Sequence, residues 1–162
     1  MSGIVKALGA LAAAGLLTTQ AHAQALTQKN VSEAMAQAIA TAALARCQNM
    51  GFKVSVVVID RDGLQVVMLR DDGAGLHTPE GADRKAYTAR TYRSPSADFA
   101  KRVQAEPAYA PATQYTRVLA LAGGLPIKVG DDVIGAVGVS GSPGKDDVCG
   151  QAGLDKVADQ LK

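Results

Sequence analysis

Residues 53–70 run Lys-Val-Ser-Val-Val-Val-Ile-Asp-Arg-Asp-Gly-Leu-Gln-Val-Val-Met-Leu-Arg. The first part is rich in β-branched residues, which favour extended backbone, and it ends at Asp60. Asp62-Gly63 follows, and glycine readily adopts the positive φ that a tight hairpin turn requires. The segment from Leu64 to Arg70 is again mostly apolar. The stretch therefore predicts two antiparallel strands joined by a short turn.

A second hairpin is predicted in residues 124–140, where two apolar runs are separated by Gly130-Asp131. Pro126 has no N–H to give to a sheet, so its strand should lie at an edge of the sheet or begin there. The glycines at 135, 138 and 141 lie within a strand, whereas the dinucleotide fingerprint needs glycines at a turn that opens a helix. We interpret them as places where a neighbouring helix or a flat ligand approaches the strand backbone.

Helices are predicted on both sides of the two hairpins. The first takes Thr27 as its N-cap, places Val31 on the core face and ends before Gly51. The others are predicted from Thr78-Pro79 to about Arg93, from Ser94-Pro95 to about Gln104, and from Asp146 to Lys162. The order helix, hairpin, helices, hairpin, helix predicts an α/β (α+β) domain with a central antiparallel sheet flanked by helices.

The N-terminus has the three parts of a secretory signal peptide. Lys6 supplies the positive charge, an uncharged apolar run follows, and Ala21-His22-Ala23 is a small-x-small cleavage pattern. Residues 1–23 are therefore predicted to be removed after Ala23, leaving residues 24–162 as one domain in the periplasm or secreted. The apolar run is shorter than the roughly 20 residues that span a bilayer, and no later segment is long enough, so no membrane span is predicted after cleavage.

The charge of the mature chain argues against a nucleic-acid partner. The sequence has 17 basic and 15 acidic residues, and removal of Lys6 leaves 16 against 15. Nucleic-acid binding needs a basic stripe that replaces counterions, and the sequence shows none.

Two cysteines, Cys47 and Cys149, are the whole complement of the chain. In an oxidising compartment they can pair, and a bridge across about a hundred residues would stabilise the fold by roughly 4–5 kcal/mol on the chain-entropy model. The alternative is two buried thiols that never meet, because sequence spacing does not place two Cβ atoms close together.

The candidate binding residues are one histidine and one lysine. His77 is the only histidine left after cleavage, so a single chain cannot build a multi-histidine zinc site. His77 is interpreted either as a ligand or as a solvated loop residue. Lys85 lies among alanines on its helix, so its ammonium can hold a ligand carboxylate by a charge-assisted hydrogen bond. The alternative is a solvated helix face.

Five segments occur in order along the mature chain. They are Val56-Val-Val-Ile-Asp60 with Asp62-Gly63; Leu69-Arg70-Asp-Asp-Gly-Ala74; Asp83-Arg-Lys85-Ala86-x-Thr88-Ala89 with Ser94-Pro95-Ser96; Gly123-Gly124-Leu-Pro126-Ile127; and Ile134-Gly-Ala-Val-Gly-Val-Ser-Gly141 with Asp146 and Cys149. Together they resemble the GlcG/HbpS family, the haem-binding or "haem-degrading" domain of bacteria. The resemblance covers about Leu26 to Leu161.

The resemblance implies a profilin-like sandwich, assembly into homo-oligomers, and binding of haem or a related tetrapyrrole. Haem iron in proteins is bound by His, Cys, Met or Tyr. On that basis His77 is the first candidate for the iron, and Tyr87, Tyr92 and Tyr109 are weaker ones. The cations that could hold the propionates are Lys85, Arg70 and Arg93.

The leading hypothesis is thus an exported, oligomeric haem-binding protein that senses or sequesters haem. One alternative is an enzyme that acts on a small carboxylate or on haem, using Lys85 with Asp83 or Asp60. A second alternative is an assembly module without a ligand, which presents its glycine-rich strand to a partner.

Overall fold

The fold is described from a computed structural model that covers residues 24–162; the predicted signal peptide lies outside the described residues. The regular elements are α1 (Glu33–Asn49), β1 (Ser55–Asp60), β2 (Gln65–Arg70), α2 (Thr78–Tyr92), α3 (Ser96–Ala105), a 3₁₀ helix (Pro107–Gln114), β3 (Gly124–Val129), β4 (Asp132–Ser140), α4 (Asp146–Lys156) and a short 3₁₀ helix (Ala158–Gln160).

The four strands form one antiparallel sheet in the order β2-β1-β4-β3. Val57 of β1 pairs with Met68 on one side and with Gly138 of β4 on the other. Each predicted hairpin is present, and the two are joined through β1 and β4. Pro126 lies in β3, an edge strand, as its missing N–H requires. The predicted α/β (α+β) class with a central antiparallel sheet is confirmed.

Each face of the sheet is covered by helices, because the inner strands carry apolar side chains on both faces. Val56 and Val58 of β1 face the layer formed by α1 and α4. Val57 and Ile59, the alternate residues, face α2. Because β1 is sandwiched in this way, its five residues from Ser55 to Ile59 are fully buried.

Gly138 of β4 allows α2 to lie very close to the sheet. A Cβ at Gly138 would meet the Ala82 carbonyl oxygen and would lie 2.7 Å from the Ala86 nitrogen. Of the two interpretations of these glycines, the structure shows the close approach of a helix at Gly138, whereas a Cβ at Gly135 would meet the Ile59 carbonyl oxygen of β1. The strand is covered, so it is not available as a surface for a partner.

The start of α1 differs from the prediction. Ser32, and not Thr27, is the N-cap, and its Oγ accepts a hydrogen bond from the Met35 N–H at 3.2 Å. Val31 donates its N–H to the Ile134 carbonyl at 3.3 Å, which holds the preceding segment beside β4. None of the helices between residues 24 and 162 is both long and apolar enough to cross a bilayer.

Candidate functional site

A cavity of about 450 Å³ opens beside the loop that connects β4 to α4. Its walls come from the start of α2, the segment before β3 and this loop. The lining residues are His77, Lys85, Leu121, Ala122, Ser140, Gly141, Pro143, Gly144, Asp146 and Asp147. A larger groove of about 960 Å³ runs between α1 and α4, but alanines and exposed polar side chains line it. The cavity beside Lys85 is the better candidate for a functional site, because an ammonium, an imidazole and two carboxyl groups converge there.

Lys85 lies at the inner wall of the cavity, and it is buried to 99%. Its Nζ donates to Asp146 Oδ2 at 2.7 Å and to the Val139 carbonyl at 3.1 Å. An ammonium has three hydrogens, so one remains without an acceptor among residues 24–162. The structure thus shows Lys85 in a buried ion pair. One N–H of its ammonium remains, and it could donate a hydrogen bond to a ligand.

Asp146 holds this ion pair in place from the first turn of α4. Its Oδ1 accepts hydrogen bonds from the Ser142 N–H at 2.9 Å and from Ser142 Oγ at 2.7 Å. Both carboxylate oxygens are therefore engaged, which compensates for the cost of burying the charge. The helix N-terminus also favours a negative side chain at this position.

The two cysteines lie directly behind Ser142. Cys47 of α1 and Cys149 of α4 are joined by a disulfide, with their Cα atoms 5.5 Å apart. Both cysteines are fully buried, and Cys47 Sγ lies 3.2 Å from Ser142 Oγ. The bridge therefore anchors the beginning of α4, the same turn that carries Asp146.

Asp147, the next residue of α4, also lines the cavity. Its Oδ1 accepts the Gly123 N–H at 2.7 Å. Burial raises the pKa of the Asp147 carboxyl, and the neighbouring Asp146 adds to the rise, while the Gly123 hydrogen bond opposes it. The Asp147 carboxyl thus carries a proton more readily than an ordinary aspartate.

His77 stands at the rim of the cavity, one residue before α2, and its side chain is exposed. Its carbonyl accepts the Gly81 N–H at 2.9 Å, which fixes the backbone. Within residues 24–162 the imidazole has no hydrogen-bond partner. Both ring nitrogens are therefore free to bind a ligand that enters the cavity.

Of the predicted binding residues, the structure brings His77 and Lys85 together and places Arg70 and Tyr87 elsewhere. His77 and Lys85 line the same cavity. Arg70 lies at the end of β2 and donates to the Ala74 carbonyl at 2.6 Å, outside the cavity lining. Tyr87 lines a different cavity, farther along α2. Residues 87 and 85 point to different sides of the helix, since two residues correspond to about 200° of rotation.

The acids that the sequence suggested as partners for Lys85 also lie elsewhere. Asp83 binds Arg117, and Asp60 caps the β1–β2 turn by accepting the N–H groups of Asp62 and Leu64. The partner that the structure shows, Asp146, was missed as a site residue. Asp146 begins a predicted helix, where a carboxylate is favoured, so the sequence indicated a structural role for it. No neighbouring residue in the sequence indicated that its partner is Lys85.

The domain is an antiparallel α+β sandwich with a cavity beside Lys85. A buried lysine–aspartate pair, a protonatable acid and an exposed histidine surround this cavity. These features define a small domain that can bind a ligand. The chain belongs to the HbpS-like family, since residues 31–155 match the family described as "Haem degrading protein HbpS-like". Among curated proteins, it is 32% identical over 113 residues to an uncharacterized 15.0 kDa protein encoded in the dhaT–dhaS intergenic region of Citrobacter freundii. That match covers 68% of this chain and 80% of the relative.

Solved structures of related proteins also have this fold. A double mutant of Streptomyces reticuli HbpS is 33% identical and superposes with a TM-score of 0.76, covering 87% of this chain and 97% of that one. PduOC, solved as a complex with haem, is 25% identical with a TM-score of 0.73, covering 78% of this chain and 94% of PduOC. The predicted membership of the GlcG/HbpS family is confirmed.

Proposed function

We propose that the mature chain is an exported haem-binding protein, which holds the tetrapyrrole at the cavity beside Lys85 and uses His77 as the iron ligand. The observation that carries the proposal is the unpartnered, exposed imidazole at the rim of a cavity in an HbpS-like domain. The haem complex of PduOC supports the same ligand class.

The cavity fits a haem group in four respects. An imidazole nitrogen is a common axial ligand of haem iron. Leu121, Ala122 and Pro143 give the cavity apolar walls, and Leu121 is 53% exposed, so a ligand would cover it. The free hydrogen of Lys85 can be donated to a propionate. The volume falls within the range of about 300–1,000 Å³ that is usual for small-molecule sites.

Haem would supply the iron and its redox chemistry; this chain supplies the binding groups. His77 would bind the iron and so set the position of the haem. The Lys85–Asp146 pair would keep the Lys85 ammonium in place at the inner wall of the cavity. Asp147 can share a proton with a propionate, since its raised pKa keeps it closer to neutrality than an ordinary aspartate.

A haemin titration tests the proposal. The protein of residues 24–162 should give a saturable, shifted Soret band, and His77→Ala should abolish or displace that band. Tyr87→Phe is the matched control, because Tyr87 was a candidate ligand but lies in another cavity. If the Soret band is unchanged in His77→Ala but lost in Tyr87→Phe, the haem binds in the other cavity. That result would overturn the assignment of His77 as the iron ligand.

Export has a separate test. The full chain expressed in a bacterium should yield a periplasmic or secreted protein whose N-terminus is Gln24, which N-terminal sequencing can read. Replacing the cleavage-site alanines, Ala21 and Ala23, by bulky residues should leave the leader attached. A protein that begins at Met1 and stays in the cytoplasm would contradict the export proposal without affecting haem binding.

One observation favours a second candidate, an enzyme that acts on a small carboxylate. Lys85 keeps a hydrogen for a carboxylate, and Asp147 lines the same cavity as a protonatable acid. Decay of the Soret band on addition of a reductant and oxygen would indicate turnover of haem. If the protein converts a small carboxylate to a product, and the Asp147→Asn variant does not, the result would support the second candidate.

A further inference from the structure

A second cavity of about 450 Å³ lies on the outer side of α2, and it shares no lining residue with the cavity beside Lys85. Its walls are three tyrosines, Tyr87, Tyr92 and Tyr115, together with Thr91, Thr116, Arg117 and Val118. The volume is within the range of small-molecule sites.

The aromatic residues of this chain are concentrated in this cavity. The sequence has four tyrosines, two phenylalanines and no tryptophan, so three of six aromatic side chains line one surface cavity. Phe99 stacks behind the cavity on the Tyr92 ring, with centroids 4.0 Å apart and planes 19° apart. The two cores are built almost wholly from aliphatic side chains, although Tyr87 packs against the core that contains Ala86 and Ala136. Tyr115 is 67% exposed, so core packing does not account for its place in the cavity.

Arg117 forms a fixed wall of the cavity. Its Nε and Nη2 donate to the two oxygens of Asp83 at 3.0 and 2.7 Å, and Nη1 donates to the Gly63 carbonyl at 2.8 Å. The guanidinium carbon lies 4.2 Å from the centre of the Tyr87 ring. Three of five N–H groups are thus used, and a bidentate, stacked arginine is a preorganised group.

The hydroxyl groups of the cavity are available to a ligand. Among residues 24–162, the phenol oxygens of Tyr87, Tyr92 and Tyr115 have no hydrogen-bond partner. A phenol is a proton donor at neutral pH, and burial raises the pKa of Tyr92 further above its ordinary value, with a smaller contribution from the neighbouring Tyr115. The cavity therefore offers flat aromatic walls edged with O–H and N–H donors.

We propose that this cavity is a second binding site, which takes a planar aromatic compound carrying a carboxylate. The exposed ring of Tyr115 would stack on the aromatic part, while Arg117 already covers one face of Tyr87. The phenols and the two free N–H groups of Arg117 would donate to the carboxylate. This site does not depend on the haem proposal, because it uses none of the same residues.

Calorimetric titration with 2-naphthoate tests the site. We expect saturable binding of one naphthoate per chain, and we expect Tyr115→Ala to weaken it about tenfold, a usual effect of removing one aromatic stacking partner. Tyr115 is 67% exposed, so its removal should leave the fold intact. Tyr109→Ala is the matched control, since Tyr109 lies outside the cavity lining and packs on Arg102.

Two further measurements test where naphthoate binds and whether its carboxylate is recognised. His77→Ala should bind naphthoate like the unmodified protein, and 2-naphthylmethanol, which lacks the carboxylate, should bind at least tenfold more weakly than 2-naphthoate. The absence of saturable naphthoate binding would overturn the proposal. Equal losses in Tyr115→Ala and Tyr109→Ala, or loss of binding in His77→Ala, would also overturn it.

Discussion

Lys85 Nζ lies 2.7 Å from Asp146 Oδ2, and this buried contact joins α2 to the first turn of α4 across 61 residues of sequence. The side chains are 2% and 11% exposed, so neither charge can be left alone without a large cost. The pair therefore holds together the two elements that form the inner wall of the candidate site.

Removal of either charge should destabilise the protein strongly. Lys85→Met leaves Asp146 buried without its counter-ion, and we expect a loss of about 3–5 kcal/mol in the free energy of unfolding. The double variant Lys85→Met with Asp146→Leu should lose less than the sum of the two single losses, because it leaves no unpaired charge. Urea denaturation of the four proteins measures the coupling.

The matched control is an exposed ion pair, Lys101–Asp98, whose side chains are 77% and 49% exposed. Lys101→Ala should change the stability by no more than about 1 kcal/mol. Equal effects at the two lysines would mean that the buried pair has no special role.

The disulfide should contribute a large part of the stability. Cys47 and Cys149 are 102 residues apart, so on the chain-entropy model the bridge is worth about 4–5 kcal/mol. The variant with both cysteines changed to serine should shift the urea midpoint down by a corresponding amount. Mass spectrometry of the unmodified protein before and after reduction should show a gain of two hydrogen atoms, and an unchanged mass would mean that the thiols are free.

The close packing of α2 on β4 should make Gly138 intolerant of a side chain. Gly138→Ala places a Cβ against the Ala82 carbonyl, which lies in helix backbone and cannot move aside easily. We expect a loss of about 1–3 kcal/mol or more. Gly150→Ala is the control, because its Cβ would meet only the flexible end of Leu125 at 3.2 Å, and alanine favours the helix. Thermal unfolding should rank Gly138→Ala far below Gly150→Ala.

Asp147 should give a recognisable pH dependence. Because burial raises its pKa in the folded protein, the native state keeps the proton in a range where the unfolded chain, with a pKa of about 3.9, has released it. The contribution of Asp147 to stability is therefore fully present below pH 3.9 and is lost as the pH rises through the folded pKa.

Asp147→Asn removes this titration and keeps an oxygen for the Gly123 N–H. The variant should gain stability relative to the unmodified protein between pH 4 and 7, whereas Asp159→Asn, at an exposed site, should not. Chemical denaturation at several pH values measures both. A variant that loses relative stability over this range would show that the carboxylate is favoured by its surroundings.

Much of the secondary structure was predictable because its causes are local. The β-branched run ending at Ile59 and the Asp62-Gly63 turn predicted the first hairpin, and Gly63 has the positive φ of 81° that such a turn needs. The start of α1 was wrong because Thr27 and Ser32 are both good N-caps. The choice between them depends on the hydrogen bond from Val31 to Ile134, a contact with a distant strand.

The candidate site was only half predictable. His77 was notable for its rarity, and Lys85 for its alanine neighbours. Their common cavity, however, depends on where the loop before α4 lies. Arg70 and Tyr87 have suitable chemistry, but the sheet and the helix rotation place them elsewhere.

The sequence by itself determined the helices, the two hairpins and the family, because these follow from short-range periodicity and from ordered motifs. Only the tertiary structure decided that Lys85 pairs with Asp146 and that three tyrosines share one cavity. Lys85 and Asp146 lie 61 residues apart, and Tyr115 lies far along the chain from the two tyrosines of α2. Such meetings depend on how the hydrophobic layers close over the sheet, which no local pattern of residues encodes.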